Sequence, residues 1–219
     1  MTLPEPHRVS LDAPDGTPLS ALHWSAEPGR PAVLIVHGWQ SRGANHVDFA
    51  ERCAARGWAV LVPDLRGHGD SEGAVGPEMV GDVVGLMSLL LDWGHPRIAL
   101  RGSSMGGLLG LHAAAQGRAA AVAAICPARP DRLGELLQAD WPRDLPLRPA
   151  VSRGDGVARG YWHATGDERV PWQHTLWLSQ STPHPMRLRV ALGGHHGSLQ
   201  HDPGVQEQVV DFLAEHLER

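Results

Sequence analysis

Gly102-Ser103-Ser104-Met105-Gly106 lies between a short apolar run, 98–100, and a long apolar helical stretch, 104–116, and it is the part of the chain best suited to chemistry. A strand that reverses into a helix within a few residues forces its turning residue into a strained backbone conformation. Glycines two places to either side leave room for the crossing chains. Ser104 occupies the turning position, so its hydroxyl is expected to stand exposed at a helix start as a candidate nucleophile. The helix start also offers N–H groups and a partial positive charge suited to an oxyanion forming beside it. Ser103 competes in the same turn, but the spacing to both glycines selects Ser104. A serine hydroxyl is a poor nucleophile near neutral pH. It needs a base within hydrogen-bond reach, an acid to orient that base, and donors for the oxyanion.

Composition removes several other chemistries. The chain contains no lysine, which excludes Schiff-base catalysis and the phosphate-binding lysine of a P-loop. Its formal charge is −5 and its arginines are scattered without a basic run, so neither nucleic acid nor an anionic membrane is an expected partner. Cys53 and Cys126 are far apart in apolar contexts, as buried reduced thiols would be. There is no His-Glu-x-x-His and no paired cysteine spacing, and the histidines are dispersed, so no metal is expected. The nearest Gly-x-Gly, Gly67-His68-Gly69, runs into Asp70-Ser71-Glu72-Gly73 instead of opening a helix, so no dinucleotide or other cofactor is expected either. The first residues lack a charged segment followed by an apolar run, and no stretch reaches the length of a membrane span. A soluble cytoplasmic protein is the expectation.

The elements that must position Ser104 follow from the apolar patterning. Strands are expected at 7–12 and 19–24, joined through Pro14-Asp15-Gly16 as an antiparallel hairpin at the sheet edge. Strands at 32–36, 59–62, 98–100, 121–125, 157–163 and 186–192 then alternate with helices at 45–56, 77–93, 104–116, 172–181 and 204–217. That alternation argues for a mainly parallel sheet flanked by helices, and 219 residues at 42% hydrophobic content suit one domain over 1–219. The irregular stretch 127–156, rich in Pro, Arg, Asp and Gly, is expected to be a short lid-like or loop segment with one helix at 131–139.

At this point the chain resembles the α/β-hydrolase family along nearly its whole length. Four segments carry the resemblance in the family's order: His37-Gly38-Trp39, then Asp64 through Ser71, then Gly102 through Gly106, then Asp167 with Gly194-His195-His196 downstream. Each follows the C-terminal end of an expected strand, where open parallel sheets bind ligands. The resemblance implies an α/β-hydrolase fold, a mostly parallel sheet of about eight strands with an antiparallel N-terminal hairpin. It implies Ser104 as nucleophile and Asp167, four residues before Pro171, as the acid, with Glu168 as the alternative because Ala164 stands where the family often has glycine. It favours His196 over His195 as the base, and it assigns the oxyanion donors to the backbone N–H groups of Trp39 and Met105. Arg66 and His68 would brace loops near the site, and Trp39, Trp141 and Trp172 are candidate pocket walls.

The implied activity is that of a serine hydrolase, cleaving a carboxylic ester or related small acyl substrate through an acyl-enzyme. An acyltransferase, thioesterase or peptidase would use the same scaffold, and a non-catalytic small-molecule binding protein is the alternative of another class. The brevity of 127–156 implies little or no lid and an open, shallow site. Oligomeric state is not legible in the residues.

Overall fold

Four strand segments are buried from end to end, Ala32–Val36, Ala59–Pro63, Ile98–Ser103 and Ala158–Ala164, and a fifth, Ala119–Ile125, is buried at every residue but Ala120. Strands buried on both faces read as continuous apolar runs, and these form the centre of the sheet. The computed structural model describes residues 5–154, 156–183 and 186–219, so the single-domain expectation over 1–219 and the segment 127–156 each include residues outside the described ones. In chain order the strands are β1 (His7–Asp12), β2 (Pro18–Trp24), β3 (Ala32–Val36), β4 (Ala59–Pro63), β5 (Ile98–Ser103), β6 (Ala119–Ile125), β7 (Ala158–Ala164) and β8 (Met186–Ala191). They lie in the order β1-β2-β4-β3-β5-β6-β7-β8. β1 pairs antiparallel with β2 and β2 antiparallel with β4, while every other pairing is parallel.

Alternation along the strands divides the core into two layers. Leu34, Leu61, Leu100, Val122 and Tyr161 face one layer, filled by α2 (Met79–Asp92), α3 (Met105–Ala114), α4 (Pro130–Leu137), α5 (Leu147–Val151) and α6 (Trp172–Gln180). Val33, Ile35, Val60, Ala123 and Trp162 face the other, covered by α1 (Val47–Ala55) and α7 (Pro203–Leu217). Every residue of α3 is buried, which accounts for its lack of an apolar stripe. The helix that starts at the nucleophile turn is thereby held on all sides.

Four differences from the sequence reading have physical causes. The expected helix 45–56 is a short 3₁₀ turn, Gly43–His46, followed by α1, and the Gly43 N–H is held by Asp64 Oδ1 at 2.7 Å. The helix expected from Pro77 begins at Met79. β5 runs on through Arg101 to Ser103, and the buried guanidinium of Arg101 meets His46 Nδ1 at 3.0 Å and donates to Gln200 O at 3.0 Å. A strand containing arginine reads as ended unless those partners are known. Finally, 127–156 carries two helices, α4 and α5, where one was expected; α5 is five residues long and includes Pro149, too short for a periodic signal.

Candidate active site

The end of β5 delivers Ser104 at φ 53° and ψ −119°, in the left-handed region that a non-glycine residue occupies only at a cost of order 1–3 kcal/mol. The neighbouring glycines are required by space. A Cβ on Gly102 would lie 2.2 Å from Gly106 O, and one on Gly106 would lie 2.1 Å from Val36 O. Ser104 caps α3 without using its side chain for the cap; its Oγ lies 2.9 Å from His196 Nε2. Ser103, the competitor in the turn, donates instead to Gln200 Oε1 at 2.9 Å.

His196 follows β8 and its Nδ1 donates to Asp167 Oδ2 at 2.8 Å. Asp167 follows β7, and its other oxygen accepts the N–H groups of Arg169 at 2.9 Å and Val170 at 2.8 Å. The carboxylate thus both closes its own turn and orients an imidazole. Burial alone would raise its pKa, but hydrogen bonds from His163, His196 and the Val170 N–H outweigh that and hold it well below the ordinary carboxylate range. His195 is exposed and its Nδ1 accepts the Gly197 N–H at 3.2 Å, while exposed Glu168 accepts the His196 N–H at 3.2 Å. Of the paired alternatives, the structure brings together Ser104, His196 and Asp167.

Sequence reasoning missed His163 and Thr175. His163 on β7 is fully buried, with Nε2 3.1 Å from Asp167 Oδ2 and 2.9 Å from Val170 O, and Nδ1 2.6 Å from Thr175 Oγ1. The Nε2–H is therefore shared between the carboxylate and a carbonyl, with the ring fixed from behind by the hydroxyl. The available signal was spacing: His163 is four residues before the acid at the end of a buried strand.

The loop after β3 packs onto the nucleophile so closely that a Cβ on Gly38 would lie 3.2 Å from Ser104 Cβ. His37 staples this loop to the one after β4: its Nδ1 donates to Gly38 O at 2.8 Å and its Nε2 accepts the Leu65 N–H at 2.9 Å. Burial pushes His37 down to about 4, so the ring stays neutral and serves both bonds. His68 packs edge-on against His37 and Trp39, and Arg66 grips Asp82 through Nε at 2.6 Å and Nη2 at 2.7 Å. Both residues brace loops, as expected of them.

A cavity of about 640 Å³ opens over Ser104, with Trp39, Leu133, Leu136, Arg129, Arg132 and Arg169 among its walls. That volume suits a small organic ligand. Trp39 lines it, whereas Met105 has a fully buried side chain and could contribute only its backbone N–H. Trp141 packs against the core and Trp172 lines neither this cavity nor its neighbour, so these two expected wall residues are replaced by Leu133 and Leu136 of α4.

Among the described residues, one set of side chains offers atoms close enough to share a cation: Cys126, Asp167 and His196, within 4.8 Å of one another. Burial pushes the Cys126 thiol up to about 12, and the other two are already bonded to each other, so the set is poorly disposed to hold a metal. No helix among the described residues is long and apolar enough to cross a membrane.

Residues 27–137 match the family model Hydrolase_4, described as serine aminopeptidase, S33. The chain belongs to this family of α/β hydrolases. The match reaches Trp39 and Ser104 of the hydrolase but stops short of Asp167 and His196. A pimeloyl-(acyl-carrier protein) methyl ester esterase of Xanthomonas campestris is 34% identical over 134 residues, 60% of this α/β hydrolase and 49% of the relative. The chain therefore spans about half the length of the curated relatives it matches first. Est1E from Butyrivibrio proteoclasticus, solved with ferulic acid bound, superposes with a TM-score of 0.82 at 22% identity, covering 96% of this chain and 100% of that one. The Pyrococcus furiosus esterase Pf2001 gives 0.82 at 21%, covering 97% and 91%. At such identities the likeness establishes the shared fold, an eight-stranded sheet with helices on both faces.

Proposed function

We propose that this α/β hydrolase cleaves carboxylic esters through an acyl-enzyme, with Ser104 as nucleophile, His196 as base and Asp167 as the orienting acid. The observation that carries this reading is the unbroken run of hydrogen bonds from Ser104 Oγ to His196 Nε2 at 2.9 Å and from His196 Nδ1 to Asp167 Oδ2 at 2.8 Å, beneath an open cavity. As Oγ attacks the ester carbonyl, Nε2 takes its proton, and the oxyanion is received by the N–H groups of Trp39 and Met105. Collapse expels the alcohol, which takes the proton back from Nε2. A water molecule then repeats the attack on the acyl-enzyme, gives its proton to Nε2, and the acid leaves as Ser104 regains its hydrogen. Asp167 stays ionised throughout, fixing the tautomer with hydrogen on Nδ1 and stabilising the imidazolium.

The family's description raises peptide N-termini as an alternative substrate. Among the described residues Glu168 is the one carboxylate in the cavity wall, and it accepts the His196 N–H and faces Arg169 at 3.7 Å. Among the described residues no second carboxylate lines that wall to hold a terminal ammonium, which supports esters over aminopeptide substrates. Two measurements test the reading. A fluorophosphonate probe should add to Ser104, mapped by mass spectrometry, and the adduct should vanish in Ser104→Ala. 4-Nitrophenyl butyrate should be cleaved far faster than alanine 4-nitroanilide. Folded protein that takes no label, or that prefers the anilide, would refute it.

A further inference from the structure

A second cavity, of about 600 Å³, adjoins the first and shares Arg129 as a wall. It is bounded by α4, α5 and α6, none of which carries a member of the Ser104, His196, Asp167 set. Two of its three arginines are neutralised at once: Arg129 pairs with Asp131 at 2.5 Å, and Arg143 pairs with Asp140. Arg148 is different. Among the described residues its guanidinium has no carboxylate partner and lies over the ring of Trp177, 5.8 Å from its centre. Trp177 is itself 43% exposed, an unusual amount of open indole surface for a side chain with no core role.

The ring of His174 stacks on the same indole at 6.0 Å and 23°, and its Nε2 is buried without any hydrogen-bond partner. Burial, then the charge of Arg129, pushes His174 down to about 4, so the ring is neutral and adds no charge to the cavity. A cation without a carboxylate partner among the described residues, the His174 ring and the exposed part of the Trp177 indole thus line one space with Pro146 and Leu147. A carboxylate would meet the guanidinium in a bidentate pair, while an apolar body would cover the exposed part of the indole.

We propose that this cavity is a subsite for the carboxylate end of the ester substrate, carried on an apolar chain or ring whose ester group lies against Ser104. Arg129 is a wall of both spaces, which places the proposed subsite next to the cavity over Ser104. The assignment to substrate rests on the ester-hydrolase reading above; the binding of an apolar carboxylate does not.

The test compares 4-nitrophenyl hydrogen adipate, which carries a free carboxylate, with the neutral 4-nitrophenyl hexanoate. The wild-type enzyme should prefer the acid, and Arg148→Gln should cut kcat/KM for it by about tenfold, mainly through KM, while leaving the hexanoate unchanged. Arg148→Glu should cut it further. Calorimetric titration of 2-naphthoate into protein phosphonylated on Ser104 should show binding that Arg148→Gln and Trp177→Ala both weaken, with 2-naphthalenemethanol binding less in every case. Equal ester ratios in wild type and Arg148→Gln would overturn the substrate assignment, and naphthoate binding that ignores Arg148, or that phosphonylation abolishes, would overturn the subsite. If Ser104 takes no label, the same titration on unmodified protein still decides the subsite, so failure of the hydrolase reading is seen separately.

Discussion

Asp167 divides its two oxygens between different tasks: Oδ1 closes a turn on Arg169 and Val170, and Oδ2 receives His196 and His163. Asp167→Asn keeps the turn acceptor but can present an amide N–H to His196, favouring the wrong tautomer. Turnover should fall about 10³–10⁴-fold with KM little changed, and unchanged kcat would remove Asp167 from the reaction. His163 acts one step further back. Replacing it with leucine removes a donor from Oδ2, leaving more of the carboxylate's charge for the imidazolium of His196. The acid limb of the kcat/KM profile should therefore move to higher pH. A purely structural role for His163 would lower folded yield without moving the limb. Ser104 was legible because two glycines at fixed spacing have a steric meaning that survives without coordinates. His163 was not, because a histidine on a buried strand looks the same in sequence whether it touches a carboxylate or only packs.

Elements were legible where the pattern along the chain is regular. The strands β1 and β3 run as the alternation and apolar content indicate, and the helices after β4 and β5 end within two residues of expectation. Boundaries shifted where long-range partners decide the matter, as for Arg101 in β5, and α5 went unseen because five residues carry no period. The contact between α3 and β3 makes a prediction at this scale. Gly106→Ala places a methyl 2.1 Å from Val36 O and 2.5 Å from His37 O, backbone atoms that lead into the Trp39 loop. The loop must shift, so the variant should lose roughly 1–3 kcal/mol in urea unfolding and most of its activity together. Gly110, one turn along the same helix, meets only Val122 Cγ2 at 3.7 Å. Gly110→Ala should leave activity intact and raise stability by up to about 1 kcal/mol, the helix-propensity difference. Equal effects from the two substitutions would mean that close packing of α3 under β3 does not control the site.

For the whole molecule, the buried histidines govern response to acid. Burial is the main cause that pushes His37 and His174 down to about 4 and His46 to about 2, with Arg101 adding to the last. An unfolded chain takes up these protons near pH 6.5, whereas the folded chain takes up those of His37 and His174 only near pH 4 and that of His46 lower still. Between those limits the unfolded state binds more protons, so stability must fall as pH falls, by up to about 1.4 kcal/mol per pH unit for each such histidine. Asp167 adds in the same direction at lower pH, because its depressed pKa contributes stability above the ordinary carboxylate value that is lost as pH drops below it. Urea midpoints should therefore decline steeply from pH 6.5 to pH 4.5, and His46→Asn should shallow that slope by as much as one proton. Midpoints that hold level across the range would contradict neutral burial of these rings. Because His37 ties the Trp39 loop to the loop after β4, activity lost on acid incubation should follow unfolding and persist when the assay is run at pH 8 without refolding. Loss that reverses at once on returning to pH 8 would instead mean that the fold had stayed intact.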